Sequence, residues 1–81
     1  MKHYVVILDW AGNDDEGVRI FGITHTLDKA KKIFAEQITQ EREIADQNGW
    51  VVETDTDVQF EAYEDGYHAI AHSKLYIEEV N

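Results

Sequence analysis

The chain has no cysteine and no proline, one methionine, five glycines and only seven lysines and arginines among its 81 residues. Without cysteine there is no disulfide, no thiolate nucleophile and no zinc–thiolate centre. Without proline, and with no internal repeat, nothing in the sequence marks a linker. One domain over residues 1–81 is the expectation. Long hydrophobic runs are also missing. No stretch approaches the length of a membrane span. The opening Tyr4-Val-Val-Ile-Leu8 run is preceded by a single lysine and lacks the small-residue cleavage site of a signal peptide. A cytoplasmic protein is expected.

The shortage of cations is the strongest global feature. Seventeen acids face seven bases, a net charge of −10. The bias is concentrated. Residues 1–50 hold nine acids and six bases, whereas residues 51–81 hold eight acids and one base, Lys74. Self-repulsion on a small domain opposes folding, so the surplus is a real expense. It argues against direct nucleic-acid binding, where phosphates require Lys and Arg opposite them. It argues equally against anionic membranes. A basic protein partner, a cation or solubility alone remains.

What is present suits one small core. Apolar residues make up 43% of the chain and aromatics 11%, which is not a disordered composition. A chain this short buries about 63% of its extended surface, which leaves little room for a deep cleft. A small core also needs good packing or help from an oligomer.

Residues 3–10 read as a strand around Val5-Val-Ile-Leu8. Residues 11–17, with Gly12, Asn13, Asp14, Asp15 and Glu16, read as a long loop, and 18–23 as a second strand in an antiparallel hairpin. Gly22 suggests a bulge or a close approach by a helix. Residues 27–47 are the clearest element. Thr24 or Thr26 caps the start, and Asp28 favours the positive end of the helix dipole. Leu27, Ala30, Phe34, Ile38 and Ala45 form one stripe, flanked by Ile33 and Ile44. Asn48-Gly49 stops the helix, with Gly49 suited to the left-handed conformation, and Trp50 is placed to fold back over the last turn.

Residues 50–54 suit a third strand, and Val58, Phe60 and Ala62 alternate as in a half-buried one. Asp65-Gly66 is a hairpin signal with 67–71 pairing back across it. Leu75 and Ile77 alternate in a last strand. The expected fold is α+β: one long helix packed on a small, mainly antiparallel sheet, in the order ββα and then two to three strands. The sheet's other face is expected to be solvated and strongly acidic.

The residues offer little chemistry. His3, His25, His68 and His72 suggest a metal, but a four-residue spacing on a strand separates His68 and His72 by roughly 13 Å. Asn13-Asp-Asp-Glu16 and Asp55-Thr-Asp57 supply oxygen ligands without the spacing of a helix–loop–helix calcium loop. Glu61 with Glu64 or Asp65 could pair for acid–base work, but that chemistry needs a desolvating cleft. Ser73 and five threonines stand in no nucleophile motif. No catalytic residue, metal ligand or cofactor is assigned. Phe60-Glu-Ala-Tyr-Glu-Asp-Gly-Tyr67 is different, with three aromatics among three acids. Carboxylates pair cations and rings stack on guanidinium planes, so this edge suits a basic surface. A tight hairpin whose rings cover the core is the alternative.

Several of these pieces also carry a resemblance. Tyr4-Val-Val-Ile7, Phe21-Gly-Ile23 ahead of Thr26-Leu-Asp-Lys-Ala30, Gly49-Trp50, Phe60 to Tyr67 and Tyr76-Ile-Glu-Glu-Val80 are together similar to short acidic proteins of phages and prophages of low-GC Gram-positive bacteria. The resemblance implies a genomic setting and no site residues. By analogy it implies binding to a host protein, sometimes by imitating the charge of DNA.

The functional expectation is a non-catalytic protein-binding module, a phage-encoded modulator of a basic host or defence protein. Glu61, Tyr63, Glu64, Asp65 and Tyr67 would contact the partner, with Asp55 and Asp57 at the rim. One alternative is a cation-binding domain or enzyme accessory subunit using Asp14, Asp15, Asp55 and Asp57. Another is a structural homodimer formed by pairing of exposed strand edges.

Overall fold

A computed structural model describes residues 2–12, 15–65 and 71–81. The element order is β1 (His3–Gly12), β2 (Asp15–Thr24), α1 (Leu27–Asn48), β3 (Val51–Asp55), β4 (Gln59–Tyr63) and β5 (His72–Val80). All five strands join one antiparallel sheet in the order β2-β1-β5-β4-β3, with the helix across one face. The expected α+β architecture is therefore present. Its last strand, β5, enters between β1 and β4 and ties the two hairpins together.

The helix follows from its caps and its stripe. Thr26 is extended (φ −130°, ψ 146°), and its side chain accepts from the Lys29 N–H at 3.3 Å. The Thr24 hydroxyl instead donates to the Thr26 carbonyl at 2.8 Å. At the other end Gly49 takes φ 67°, where a Cβ would be strained. Its N–H donates to Asp46 O at 3.2 Å, and the Trp50 N–H donates to Ala45 O at 2.9 Å, the two bonds of a Schellman turn. Ala30, Phe34, Ile38, Glu41 and Ala45 are the buried helix positions. Leu27, expected in the stripe, is 37% exposed.

The helix lies on Val6, Leu8, Phe60, Ala62 and Leu75. It approaches β2 closely at Gly22, where a Cβ would meet Ile33 Cδ1 at 2.7 Å. The β1–β2 register also shifts there. Val6 faces Gly22 and Ile7 faces Ile20, so Phe21 is the extra residue of a bulge. Both roles suggested for Gly22 hold.

Two expectations need correction. Ala11, Gly12 and residues 15–17 do not belong to a long loop. Ala11 pairs with Glu16 and Gly12 with Asp15, so β1 and β2 continue to within two residues of each other. Ladder hydrogen bonds and the Trp10–Gly17 pairing outweigh the turn composition. Nor is the open face uniformly acidic. Over β1 and β2 it carries Val5, Ile7, Val18, Ile20 and Ile23, which the registers place side by side. Ile7 is only 8% exposed although no helix covers it. Its shelter comes from the neighbouring rows, with Ile20 on one side and Tyr76 on the other. Gly66 of the expected Asp65-Gly66 turn and residues 67–70 of the expected return strand lie outside the described residues. Ala71 accepts from the Glu64 N–H at 2.9 Å.

The molecule is a plate of 43 × 20 × 16 Å. Its radius of gyration is 13.1 Å, against about 12 Å for a compact chain of this length. The excess goes with the 43 Å long axis.

Candidate functional site

The residues expected to meet a partner divide into two groups. Glu61, Tyr63, Glu64 and Asp65 follow one another along β4 and out of its end. Glu61 and Tyr63 point to the open face, opposite to buried Phe60 and Ala62. Glu61 faces Lys74 of β5 and Thr54 of β3; Tyr63 faces His72 and Val51. Glu64 and Asp65 are exposed. Tyr67 lies outside the described residues.

Asp55 and Asp57 belong elsewhere. They sit at the opposite end of the β3–β4 hairpin, where Thr56 closes the turn through its hydroxyl and N–H. Both already hold helix cations. Arg42 grips Asp55 with two bonds, Nη2 to Oδ1 at 2.7 Å and Nε to Oδ2 at 3.1 Å. The hydrogen bond to Asp55 raises the Arg42 guanidinium above its ordinary value; desolvation opposes this, and the charge of Asp55 adds to it. Lys31 meets Asp57 at 3.1 Å. These carboxylates fasten the β3 edge to the helix.

The alternative cation site is not assembled. Asp15 starts β2 at one edge of the sheet, while Asp55 ends β3 at the other. Four inter-strand steps separate them, about 19 Å. Asp14 lies outside the described residues. Among the described residues no three His, Asp or Glu side chains are placed to hold a metal ion. His3 and His25, distant in sequence, do come together, with ring centroids 4.7 Å apart. His72 Nε2 lies 3.3 Å from Asp9 Oδ1. His68 lies outside the described residues.

Sequence reasoning missed one feature altogether. A groove of about 370 Å³ opens between the C-terminal half of α1 and the ends of β1 and β5. Leu8, Trp10, Ile44 and Trp50 line it, with Glu41 and Ser73 at its base. The Trp10 ring lies against β2 at Gly17, where an added Cβ would sit 3.0–3.3 Å from three indole atoms. The Schellman turn sets Trp50 at the other wall. Glu41 is 7% exposed and Ser73 3% exposed. Ser73 Oγ donates to Glu41 Oε2 at 2.7 Å. The available signal was positional: Glu41 falls between Ile38 and Ala45 at the three- and four-residue steps of the apolar stripe. Its polarity hid it, and its partner lies 32 residues away.

Among the described residues no helix is long and apolar enough to cross a membrane. Compared with known protein families, curated proteins and solved structures, the chain matches none.

Proposed function

We propose that this chain is a non-catalytic binding module for a protein with a basic surface. The observation that carries the reading is the placement of Glu61, Tyr63, Glu64 and Asp65 along the open face and end of β4, in a chain of net charge −10. Cations within the chain do little to cover this stretch. Lys2, Lys31 and Arg42 pair with Glu79, Asp57 and Asp55, and the Lys74 ammonium sits over the Tyr76 ring, 5.1 Å from its centroid. A partner's arginines would pair with the carboxylates and stack on Tyr63. Asp55 and Asp57 drop out of the proposed contact surface because they serve the helix. The phage or prophage resemblance supports a cytoplasmic host or defence protein as the class of partner.

The test is capture from a host lysate at low salt with a salt-step elution. The wild type is compared with a Glu61→Lys, Glu64→Lys, Asp65→Lys triple variant. One dominant basic partner, released by salt and lost with the triple variant, is the expected result. Its association rate should fall steeply with ionic strength. Equal capture by the triple variant would overturn the surface assignment.

A second reading is a homodimer through β2, favoured by a different observation. This ten-residue strand ends the sheet, and Val18, Ile20 and Ile23 on it are 68%, 58% and 63% exposed. A long apolar edge is a site for strand pairing. Sedimentation equilibrium at several salt concentrations tests it. A dimer that Ile20→Lys dissociates supports it, and a monomer at all concentrations rejects it.

A further inference from the structure

Glu41 lies on the buried face of α1, and its carboxylate has a neutral partner only. Ser73 supplies one hydrogen bond to Oε2. The three ion pairs of Lys and Arg among the described residues use Lys2, Lys31 and Arg42, the His72 ring contacts Asp9, and none of these involves Glu41. A carboxylate removed from water is unfavourable unless a counter-charge or several donors compensate. No Lys, Arg or His among the described residues pairs with it; His72 also lines the groove but its Nε2 lies against Asp9, and the groove gives access from outside.

The surroundings of the groove favour the same sign of ligand. The last turn of α1 contains no basic residue and does contain Asp46. The negative end of the helix dipole is therefore left without a cation. Asn48 lines the groove, and its Nδ2 donates to Ile44 O at 2.7 Å, which turns the amide's acceptor oxygen away from that bond. Two indole rings form the apolar walls, and indole is the best aromatic surface for a cation. A space of about 370 Å³ has room for an alkyl stem ending in a planar cation.

We propose that this groove binds the cationic end of an arginine-type side chain. Its alkyl stem lies between Trp10 and Trp50, and its guanidinium meets Glu41. The ligand is either a free guanidinium compound or an arginine exposed on a protein. For a protein source the inference rests on the basic-partner reading and supplies that partner's anchor. The groove and the Glu61–Asp65 surface remain separate sites with separate tests.

The experiment follows the two indole N–H resonances of the folded chain by NMR. It titrates Nα-acetylarginine amide, its uncharged citrulline counterpart and agmatine. The expected result is saturable movement of both indoles with the arginine compound and at least tenfold weaker binding of the citrulline compound. Glu41→Gln keeps the side-chain volume and an acceptor for Ser73, and should weaken arginine binding at least tenfold. If that variant does not fold, the arginine–citrulline comparison on the wild type decides alone. Agmatine binding as well as the amide identifies a free small cation; weaker agmatine binding identifies a protein side chain. Unmoved indoles, equal binding of citrulline, or full binding by a folded Glu41→Gln variant would overturn the proposal. Loss of the groove with capture by Glu61–Asp65 intact removes this inference alone. Arginine binding without any captured partner removes the surface reading alone.

Discussion

The β2 edge of the sheet and its β3 edge present opposite chemistry on one scaffold. At the β2 edge the open face is apolar, with Val18, Ile20 and Ile23 exposed beside Val5 and Ile7. The helix meets this side by contact, Ile33 against Gly22. At the β3 edge the helix is joined through ion pairs, Arg42 with Asp55 and Lys31 with Asp57. The open face there carries Glu61 and Tyr63. Close packing tolerates salt but not added volume, whereas exposed ion pairs tolerate volume but not salt. The difference teaches that net charge alone is a poor guide to where this molecule binds. The acidic surplus of residues 51–81 is partly consumed in holding β3 in place, and the most exposed large apolar residues, Val18, Ile20 and Ile23, lie at the far edge.

The largest expected effect comes from the core that both edges share. Phe34 is 2% exposed at the centre of the helix stripe, and Phe34→Ala should destabilise the domain by about 3–5 kcal/mol. Urea unfolding measures it, and a variant as stable as the wild type would contradict the assigned helix face. Gly22→Val addresses the β2 side alone. It drives a branched side chain into Ile33 and should cost about 1–3 kcal/mol, independent of salt. Thr26→Ala removes the N-cap acceptor and should cost about 1 kcal/mol in the same assay. Arg42→Gln addresses the β3 side. Amide exchange in β3 should rise at low salt and approach the wild-type rate at high salt, since the pair is exposed. A salt-independent change would mean that Arg42 acts by packing.

The smallest effect is expected at high pH. The hydrogen bond to Glu79, with its charge, raises the Lys2 ammonium above 10.5. A cation whose folded value is raised stabilises fully below its unfolded value, and that stabilisation is lost as pH rises through the folded value. Thermal unfolding at about pH 9 and about pH 11.5 should therefore differ less for Lys2→Gln than for the wild type. Equal differences would show that the Lys2–Glu79 pair contributes nothing.

Local signals were legible where one segment contains its own answer. Thr26, Gly49 and the 30–34–38–45 stripe specify α1 without reference to any other strand. Gly22 announced both the bulge and the helix contact. Partnerships across the chain were not legible. That β5 would lie between β1 and β4 depends on pairings more than 60 residues apart in the case of β1. Of the turn-rich residues 11–17, Ala11, Gly12 and 15–17 became strand because facing ladders satisfied their backbone. Glu41 was absent from the expected stripe, and its partner Ser73 comes from β5, 32 residues away. Glu61 to Asp65 lie together because they are nearly consecutive in the chain. That Asp55 and Asp57 sit at the other end of the hairpin, paired with Arg42 and Lys31, was not legible because those cations come from the helix.

Backbone amide NMR mapping with a short arginine-rich peptide tests the contrast between the edges most directly. The account predicts that shifts concentrate on residues 59–65, on facing β5 positions such as Lys74, and on the two indoles, and that they fade as salt is raised. Shifts centred on β2, or spread evenly over every acidic residue, would contradict it.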